Sequence, residues 1–101
     1  MSALSNRTER IIEHLYSLDA RATVREGLES ECSTETLGCT GWTPDEMERI
    51  WFAVLKLGVK SRSAFDNAIL LAKTDCRDLL MAAGFDEDLE AHNKWWQFSV
   101  S

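Results

Sequence analysis

The chain has 101 residues with a formal net charge of −6, and 45% of its residues are hydrophobic and 28% charged. This composition is that of a globular domain and excludes a disordered tail, and the negative charge argues against nucleic acid or an anionic membrane as a partner. The length fits one domain covering residues 1–101.

The N-terminal residues and the cysteines indicate the cellular compartment of the protein. Residues 1–10 hold no apolar run long enough for a signal peptide, and no later stretch is long enough to span a membrane. The three cysteines, Cys32, Cys39 and Cys76, are an odd number without closely spaced pairs. We interpret them as free thiols in a reducing compartment and expect a cytoplasmic protein without membrane association.

The N-terminal third predicts a helix that is kinked or split. Asn6 and Glu9 have the spacing of a capping box, which opens a helix at this point. The apolar stripe that follows consists of Ile11, Leu15, Leu18 and Ala22, whereas Val24 and Leu28 lie off it. A second capping box over residues 23–26 coincides with this change of phase. We predict a break near residues 19–23 and a second short helix to about Ser30; the alternative is one continuous helix with two different neighbours.

The central helix has the clearest signals of the chain. Residues 30–41 are small, polar and turn-prone, which predicts a loop before it. Thr43 and Glu46 then form a capping box, with Pro44 at the first helical position. The apolar stripe consists of Met47, Ile50, Trp51, Val54 and Leu55. Gly58 is expected to end the helix in the left-handed conformation.

Two short helices are predicted to follow. Ser61 or Ser63 caps the third helix, Thr74 caps the fourth, and Gly84 stops the fourth. Their apolar faces are Phe65, Ala68, Ile69 and Ala72 in the third helix, and Cys76, Leu79, Leu80 and Ala83 in the fourth.

The C-terminal segment predicts one more helix. Asp86 is placed to cap it, and Leu89, His92, Trp95 and Trp96 form its inner side. Alternation over residues 96–100 predicts an extended tail. Because no segment combines strand-like alternation with β-branched residues, the fold class is all-α: a single small bundle of about five helices with a kinked or split N-terminal helix.

The side chains that bind soft metals lack the spacing of zinc sites. Cys32 and Cys39 are separated by six residues, where structural zinc sites use about two to four, and no Cys or His stands near Cys76. We interpret His14 as a helix-surface residue and His92 as a core-edge residue. Nucleophile and phosphate-loop motifs are absent as well. We therefore expect no metal, no cofactor and no catalytic activity of the chain's own.

An alternative function is that of a thiol or redox protein that uses Cys76. It lies in the first turn of the predicted fourth helix, a position that lowers a thiol pKa, whereas Asp75 and Asp78 oppose that effect. Its place on the apolar face favours a buried, inert thiol. Cys32 and Cys39, in the predicted loop, are expected to react readily.

A second alternative is a nucleic-acid binder of the helix-turn-helix kind. Lys56, Lys60 and Arg62 precede two short consecutive helices. The turn between those helices is shorter than the usual three or four residues, and Asp75 and Asp78 would face the phosphates. A pair of bundle helices is therefore favoured, and we expect no nucleic-acid partner.

The aromatic residues favour a binding function. Trp95, Trp96 and Phe98 concentrate three large rings in four positions, and Phe52 points away from the central stripe. Neighbours on a helix point about 100° apart, so one core face cannot easily bury both tryptophans. We predict a protein–protein interaction module with these four rings as partner-contact residues, one tryptophan packing inward and the other remaining available. The acidic flanks favour a basic protein or a second copy of the chain as partner.

Overall fold

A computed structural model of the chain describes residues 4, 6–32, 44–88 and 90–100, without the side chains of residues 44, 45 and 98–100. The described residues form helices and no strand, and the helices are α1 (Asn6–Leu15), α2 (Leu18–Glu31), α3 (Pro44–Gly58), α4 (Arg62–Thr74), α5 (Cys76–Ala83) and α6 (Ala91–Val100). The all-α prediction is confirmed, with six helices in place of about five because the N-terminal helix is fully split. The predicted 43–46 capping box, most of the 30–41 loop and Cys39 lie outside the described residues.

The break between α1 and α2 falls at Tyr16 and Ser17, earlier than the predicted residues 19–23. Ser17 has an extended backbone, with φ −66° and ψ 159°, and its carbonyl accepts from the amides of residues 20 and 21 at 3.0 and 3.1 Å. The Arg21 side chain donates to the carbonyls of Tyr16 and Glu13, so groups at the end of α1 are satisfied. Thr23 therefore lies inside α2 and caps nothing. The stripe does not continue into α2 either, because Leu18 is exposed.

Helix α3 is the centre of the bundle and packs against α1, α4, α5 and α6. The predicted stripe is buried, and it consists of Met47, Ile50, Trp51, Val54 and Leu55. Burial extends beyond the stripe, since Phe52 and Ala53 are also buried and the helix is enclosed on several sides. The indole N–H of Trp51 donates to the Cys32 carbonyl at 3.0 Å and thereby ties α3 to the end of α2.

Gly58 has a different role from the one predicted. It is the last residue of α3 and is buried, and its φ is not positive. A Cβ at this position would lie 2.9 Å from the Cα of Phe65 and 2.9 Å from the Tyr16 hydroxyl. Glycine is therefore required for the close approach of α4 and of the α1–α2 junction to α3. Val59, the next residue, is exposed.

The two short helices begin and end on specific side chains. The Ser61 hydroxyl accepts from the Ala64 amide at 3.1 Å and caps α4, which confirms one of the two predicted residues. Asp75, and not Thr74, caps α5, because its carboxylate accepts from the amides of residues 77 and 78. Thr74 instead ends α4 and donates its hydroxyl to the Leu70 carbonyl at 2.8 Å.

The predicted stop at Gly84 is confirmed as a Schellman motif. Gly84 has φ 78° and ψ 23°, its amide donates to the Met81 carbonyl at 3.1 Å, and the Phe85 amide donates to the Leu80 carbonyl at 2.9 Å. Two cations of α3 hold this end of α5 in place. The Lys56 ammonium donates to the Ala83 carbonyl at 2.7 Å, and the Arg49 guanidinium donates to the Phe85 carbonyl. The positive charges thus meet the carbonyl end of the α5 dipole.

Helix α6 begins later and extends further than predicted. Asp88, and not Asp86, occupies the turn before it: its carboxylate accepts from the Glu90 amide at 2.9 Å, and its carbonyl accepts from the Ala91 amide at 3.0 Å. The helix then continues to Val100, so the predicted extended tail is wrong at the backbone level. Across the described ranges, none of the helices has both the length and the hydropathy that a bilayer span requires.

Candidate functional site

The structure brings three of the four predicted site residues into one aromatic cluster. The ring of Phe52 lies 5.8 Å from that of Trp95 and 6.2 Å from that of Trp96, and the second pair is nearly parallel, at 19°. Phe85 joins the cluster with a centroid distance of 5.9 Å to Trp95. The Phe98 side chain, the fourth predicted contact, lies outside the described residues.

Phe52 is not a surface anchor, contrary to its predicted place. Its exposed fraction is 0%, because α6 packs over the face of α3 that lies opposite the apolar stripe. The expectation that one tryptophan packs inward and the other stays available is also not met. Trp95 and Trp96 are both half-buried, since each lies with one side against Phe52. Their role as partner contacts stays a prediction.

A charged pair that the sequence pattern did not indicate lies inside this cluster. The Arg7 guanidinium is 5.3 Å from the centre of the Phe52 ring and 5.2 Å from that of Trp96. Its Nη2 is 3.1 Å from a carboxylate oxygen of Glu48, which is buried, and it also donates to the side-chain oxygen of Asn93. Cation–π contacts and an ion pair therefore join α1, α3 and α6. The pattern did not indicate this pair because Arg7 and Glu48 lie in stretches typical of a polar helix surface.

His92 is the buried titratable group of this cluster. Its ring lies 5.7 Å from Phe52 and 6.3 Å from Phe85, and its Nδ1 is buried without a hydrogen-bond partner among the described residues. Burial holds the pKa of His92 below its usual value, assisted by Arg7 and Arg49 and opposed by Glu48. The ring is therefore a neutral core residue near pH 7, in line with its predicted place at the core edge.

The environments of the two described thiols are the reverse of the predicted ones. Cys32 is fully buried at the end of α2, and burial raises the pKa of its thiol to about 12. Cys76, predicted to be buried, is half-buried in the first turn of α5. The Cys32 side chain belongs to the hydrophobic core, next to the main-chain carbonyl that the Trp51 indole bonds, whereas the buried residues of α5 are Leu79 and Ala83.

A concave surface large enough for a ligand lies elsewhere, where α2 meets the end of α3 and the start of α4. It is a groove of about 500 Å³, lined by Leu15, Tyr16, Ser17, Asp19, Ala20, Thr23, Val24, Gly58, Val59, Ser61, Arg62 and Phe65. Its floor is apolar, because Tyr16, Val24 and Phe65 are core residues. The Gly58 contact described above forms this floor by bringing Phe65 against α3.

A second hollow of about 450 Å³ continues the groove between α2 and α4. The two hollows share Thr23, Arg62 and Phe65, and the second extends to Glu31 and Lys73. Here α2 and α4 approach closely, because a Cβ on Gly27 would lie 3.1 Å from the Phe65 ring. We name the two hollows together the α2–α4 groove.

Large apolar side chains remain exposed around the α2–α4 groove. Val59 after α3 is 42% exposed and lines the first hollow, and Leu70 on α4 is 62% exposed and lines the second. The sequence pattern placed Leu18 on the buried stripe, whereas it is 76% exposed and lines neither hollow. Leu70 lies off the predicted face of the third helix, and that pattern was a usable signal.

The charges that line the groove are unequally paired. Lys73 pairs with Glu31 at 2.7 Å, and Arg62 pairs with Asp66 at 3.2 Å. Asp19 and Glu26, the remaining carboxylates of the lining, have no ion-pair partner among the described residues. The groove thus combines an apolar floor with two free negative charges on its α2 side.

The described residues hold no group of three or more His, Cys, Asp or Glu side chains arranged to bind a metal ion. Comparisons with protein-family models, with curated proteins and with solved structures find no match to this chain.

Proposed function

We propose that the chain is a small, acidic, all-helical protein–protein interaction module that acts by binding and has no catalytic activity of its own. The observation that supports this most is the α2–α4 groove, whose apolar floor is bordered by Val59 and Leu70 in exposed positions. Exposed large apolar side chains around a concave surface are typical of a site that another protein covers. The negative net charge of −6 favours a basic protein as that partner.

The proposal includes a cellular setting. We infer a cytoplasmic location from the cysteines, because free Cys32 and Cys76 fit a reducing compartment. The same acidity argues against nucleic acid as the partner, since phosphates would meet Asp19 and Glu26 at the groove.

The experiment is an affinity capture of binding partners from the native host, with variants of the chain as bait. The proteins bound to each variant are identified by mass spectrometry and compared. Val59→Ser combined with Leu70→Ser removes exposed apolar area at the groove and should leave the fold intact, because neither side chain is buried. Met81→Ser is the matched control, since Met81 is 56% exposed on α5 and does not line the groove. A partner retained by Met81→Ser and lost by the double variant supports the proposal. A partner that both variants retain contradicts it.

A second surface is proposed for self-association. Trp95 and Trp96 each keep part of the indole exposed on α6, next to one another. A second copy of the chain would cover both edges through an isologous contact. This surface is distant in sequence from the α2–α4 groove, so the two proposals are tested by different substitutions.

A further inference from the structure

We propose that the α2–α4 groove binds a basic amphipathic helix of a partner protein, which lies along α2 and places two cationic side chains opposite Asp19 and Glu26. This inference rests on the proposed interaction function and specifies the chemistry of the occupant.

The dimensions of the groove fit one short helix. The first hollow is lined by α2 residues up to Val24 and the second by α2 residues up to Glu31, so the groove follows α2 over most of its 14 residues. A helix of that length is about 20 Å long. An occupant of three to four turns, with apolar residues at i, i+3, i+4 and i+7, would cover the groove from end to end.

The apolar contacts are available at both ends of this path. Val59 lines the hollow near the α1–α2 break, and Leu70 lines the opposite hollow. Phe65 lies between them and lines both hollows. An apolar stripe on the occupant would therefore contact the protein along its whole length.

The free charges define the polar side of the occupant. Asp19 and Glu26 are seven residues apart, which is about two helical turns and about 10 Å along one side of α2. The basic groups of the groove, Arg62 and Lys73, already have carboxylate partners in the chain. The carboxylates left without a partner are thus complementary to Lys or Arg side chains two turns apart on a helix beside α2.

The same charges disfavour the other occupants of such a groove. In a symmetric contact between two copies through α2, Asp19 and Glu26 would meet the acidic side of the second α2, where like charges repel. A nucleic acid or an anionic lipid would bring phosphates to the same carboxylates. The cationic side chains of a basic helix would instead be attracted to both Asp19 and Glu26.

The probe for the test is a fluorescein-labelled 14-residue peptide of leucine and lysine, with lysines seven residues apart beside an apolar stripe. A second peptide carries glutamine at each lysine position. Binding to the full chain is measured by fluorescence anisotropy over a range of salt concentrations. We expect the lysine peptide to bind more tightly than the glutamine peptide, with the difference shrinking at high salt.

Two double variants with the same change of charge separate the groove from the rest of the surface. Asp19→Asn with Glu26→Gln should lower the affinity for the lysine peptide about fivefold and leave the affinity for the glutamine peptide unchanged. Asp86→Asn with Glu87→Gln removes two exposed carboxylates outside the groove and should change neither affinity by more than about twofold. If both double variants lower the affinity for the lysine peptide equally, the electrostatic attraction is non-specific and the inference is wrong.

The Val59→Ser, Leu70→Ser variant distinguishes this inference from the proposed function. If the two peptides bind equally and both are lost with this variant, the groove binds helices but the charge assignment is wrong. If the variant leaves the binding of both peptides unchanged, the groove is not the docking surface and the proposed function fails as well. Failure of the lysine peptide to bind at all, or dimerisation of the original chain that the Val59→Ser, Leu70→Ser variant abolishes, overturns the basic-helix occupant.

Discussion

The hydroxyl of Tyr16 donates a hydrogen bond to the main-chain carbonyl of Leu55 at 2.9 Å, across 39 positions of sequence. Leu55 is one of the last four residues of α3, whose carbonyls have no partner within the helix. Tyr16 is also the residue at which α1 breaks from α2. One hydrogen bond therefore satisfies the end of the central helix and holds the α1–α2 junction against it.

Tyr16→Phe should lower the free energy of unfolding by about 1–2 kcal/mol, because it leaves the Leu55 carbonyl buried without its donor while keeping the ring. The edge-on contact with Phe65, at a centroid distance of 6.3 Å, should persist. Denaturant unfolding followed by circular dichroism gives the free energy, and an unchanged m-value confirms that the unfolded state is comparable. A loss below about 0.3 kcal/mol would show that water replaces the hydroxyl without penalty.

Gly58→Ala should destabilise the protein although alanine is the better helix former. The new Cβ would contact the Cα of Phe65, a backbone atom that cannot move alone, and overpacking of this kind costs about 1–3 kcal/mol. Gly84→Ala is a useful comparison, because its only near contact is Lys56 Nζ at 3.9 Å but its φ is 78°. We expect a loss of about 1–2 kcal/mol there from backbone strain. A Gly58→Ala variant more stable than the original would contradict the close approach of α4.

The thiols should react in the order Cys76 first and Cys32 last. With the pKa of Cys32 raised to about 12, about one thiol in ten thousand is ionised at pH 8, and the side chain is also buried. Half-buried Cys76 is open to a disulfide reagent from solvent. The measurement uses Cys39→Ser with either Cys32→Ser or Cys76→Ser, so that each variant keeps one described thiol. Faster native labelling of Cys32 than of Cys76 would place Cys32 at the surface.

Acidification should destabilise the fold through His92. Burial keeps its folded pKa below the usual 6.5, so the unfolded chain binds this proton more readily. Stability is therefore complete above about pH 6.5 and falls as the pH is lowered from there through the folded pKa. The groups that face the ring are Arg7, Arg49, Glu48 and Glu90. Melting temperatures measured between pH 7.5 and 5.5 give the slope of stability against pH.

His92→Gln is the control for the acid effect, because it keeps a polar side chain of similar length that does not titrate. We expect this variant to be less stable at pH 7.5 and to have a smaller slope over the same interval. An identical slope in both proteins would mean that other groups cause the acid sensitivity.

Trp95→Ala and Trp96→Ala should both destabilise the protein, by about 2 kcal/mol each, because each half-buried ring lies against Phe52. Gln97→Ala, on an exposed position of the same helix, should change stability by less than about 0.5 kcal/mol. Light scattering at several concentrations tests the proposed self-association in the same variants. Association that survives both tryptophan substitutions would exclude the α6 surface as the contact.

Local signals of the sequence were sufficient for most helix positions. Ser61 and Gly84 act through bonds to residues a few positions away, so their roles can be read from neighbours in the chain. The break at Tyr16 is different, because it depends on the contact with Leu55 in α3. A capping box over residues 23–26 was a plausible start signal, but tertiary packing placed the break at Tyr16, seven residues before the first member of that box.

The environments of single side chains were harder to predict than the helices. Phe52 points away from the predicted stripe and Cys32 falls in the predicted loop, yet both side chains are fully buried in the assembled bundle. Gly58 shows the same limit, since a C-terminal glycine is usually a left-handed cap and here permits contact with Phe65. The groove could not be predicted for this reason: it is formed by two helices separated by α3 in the chain.

The contact between Arg7 and Asn93 joins the first described helix to the last, although 86 positions separate them. Helix α6 is therefore a neighbour of α1 as α1 is of α2, so joining the first and last described helices would close the chain into a circuit. Exposed Asp86 and Glu87 offer a natural opening in this circuit. A circular permutant that starts at residue 87 and joins the original ends through a flexible linker should keep the same helix neighbours, with α6 entering the fold before α1.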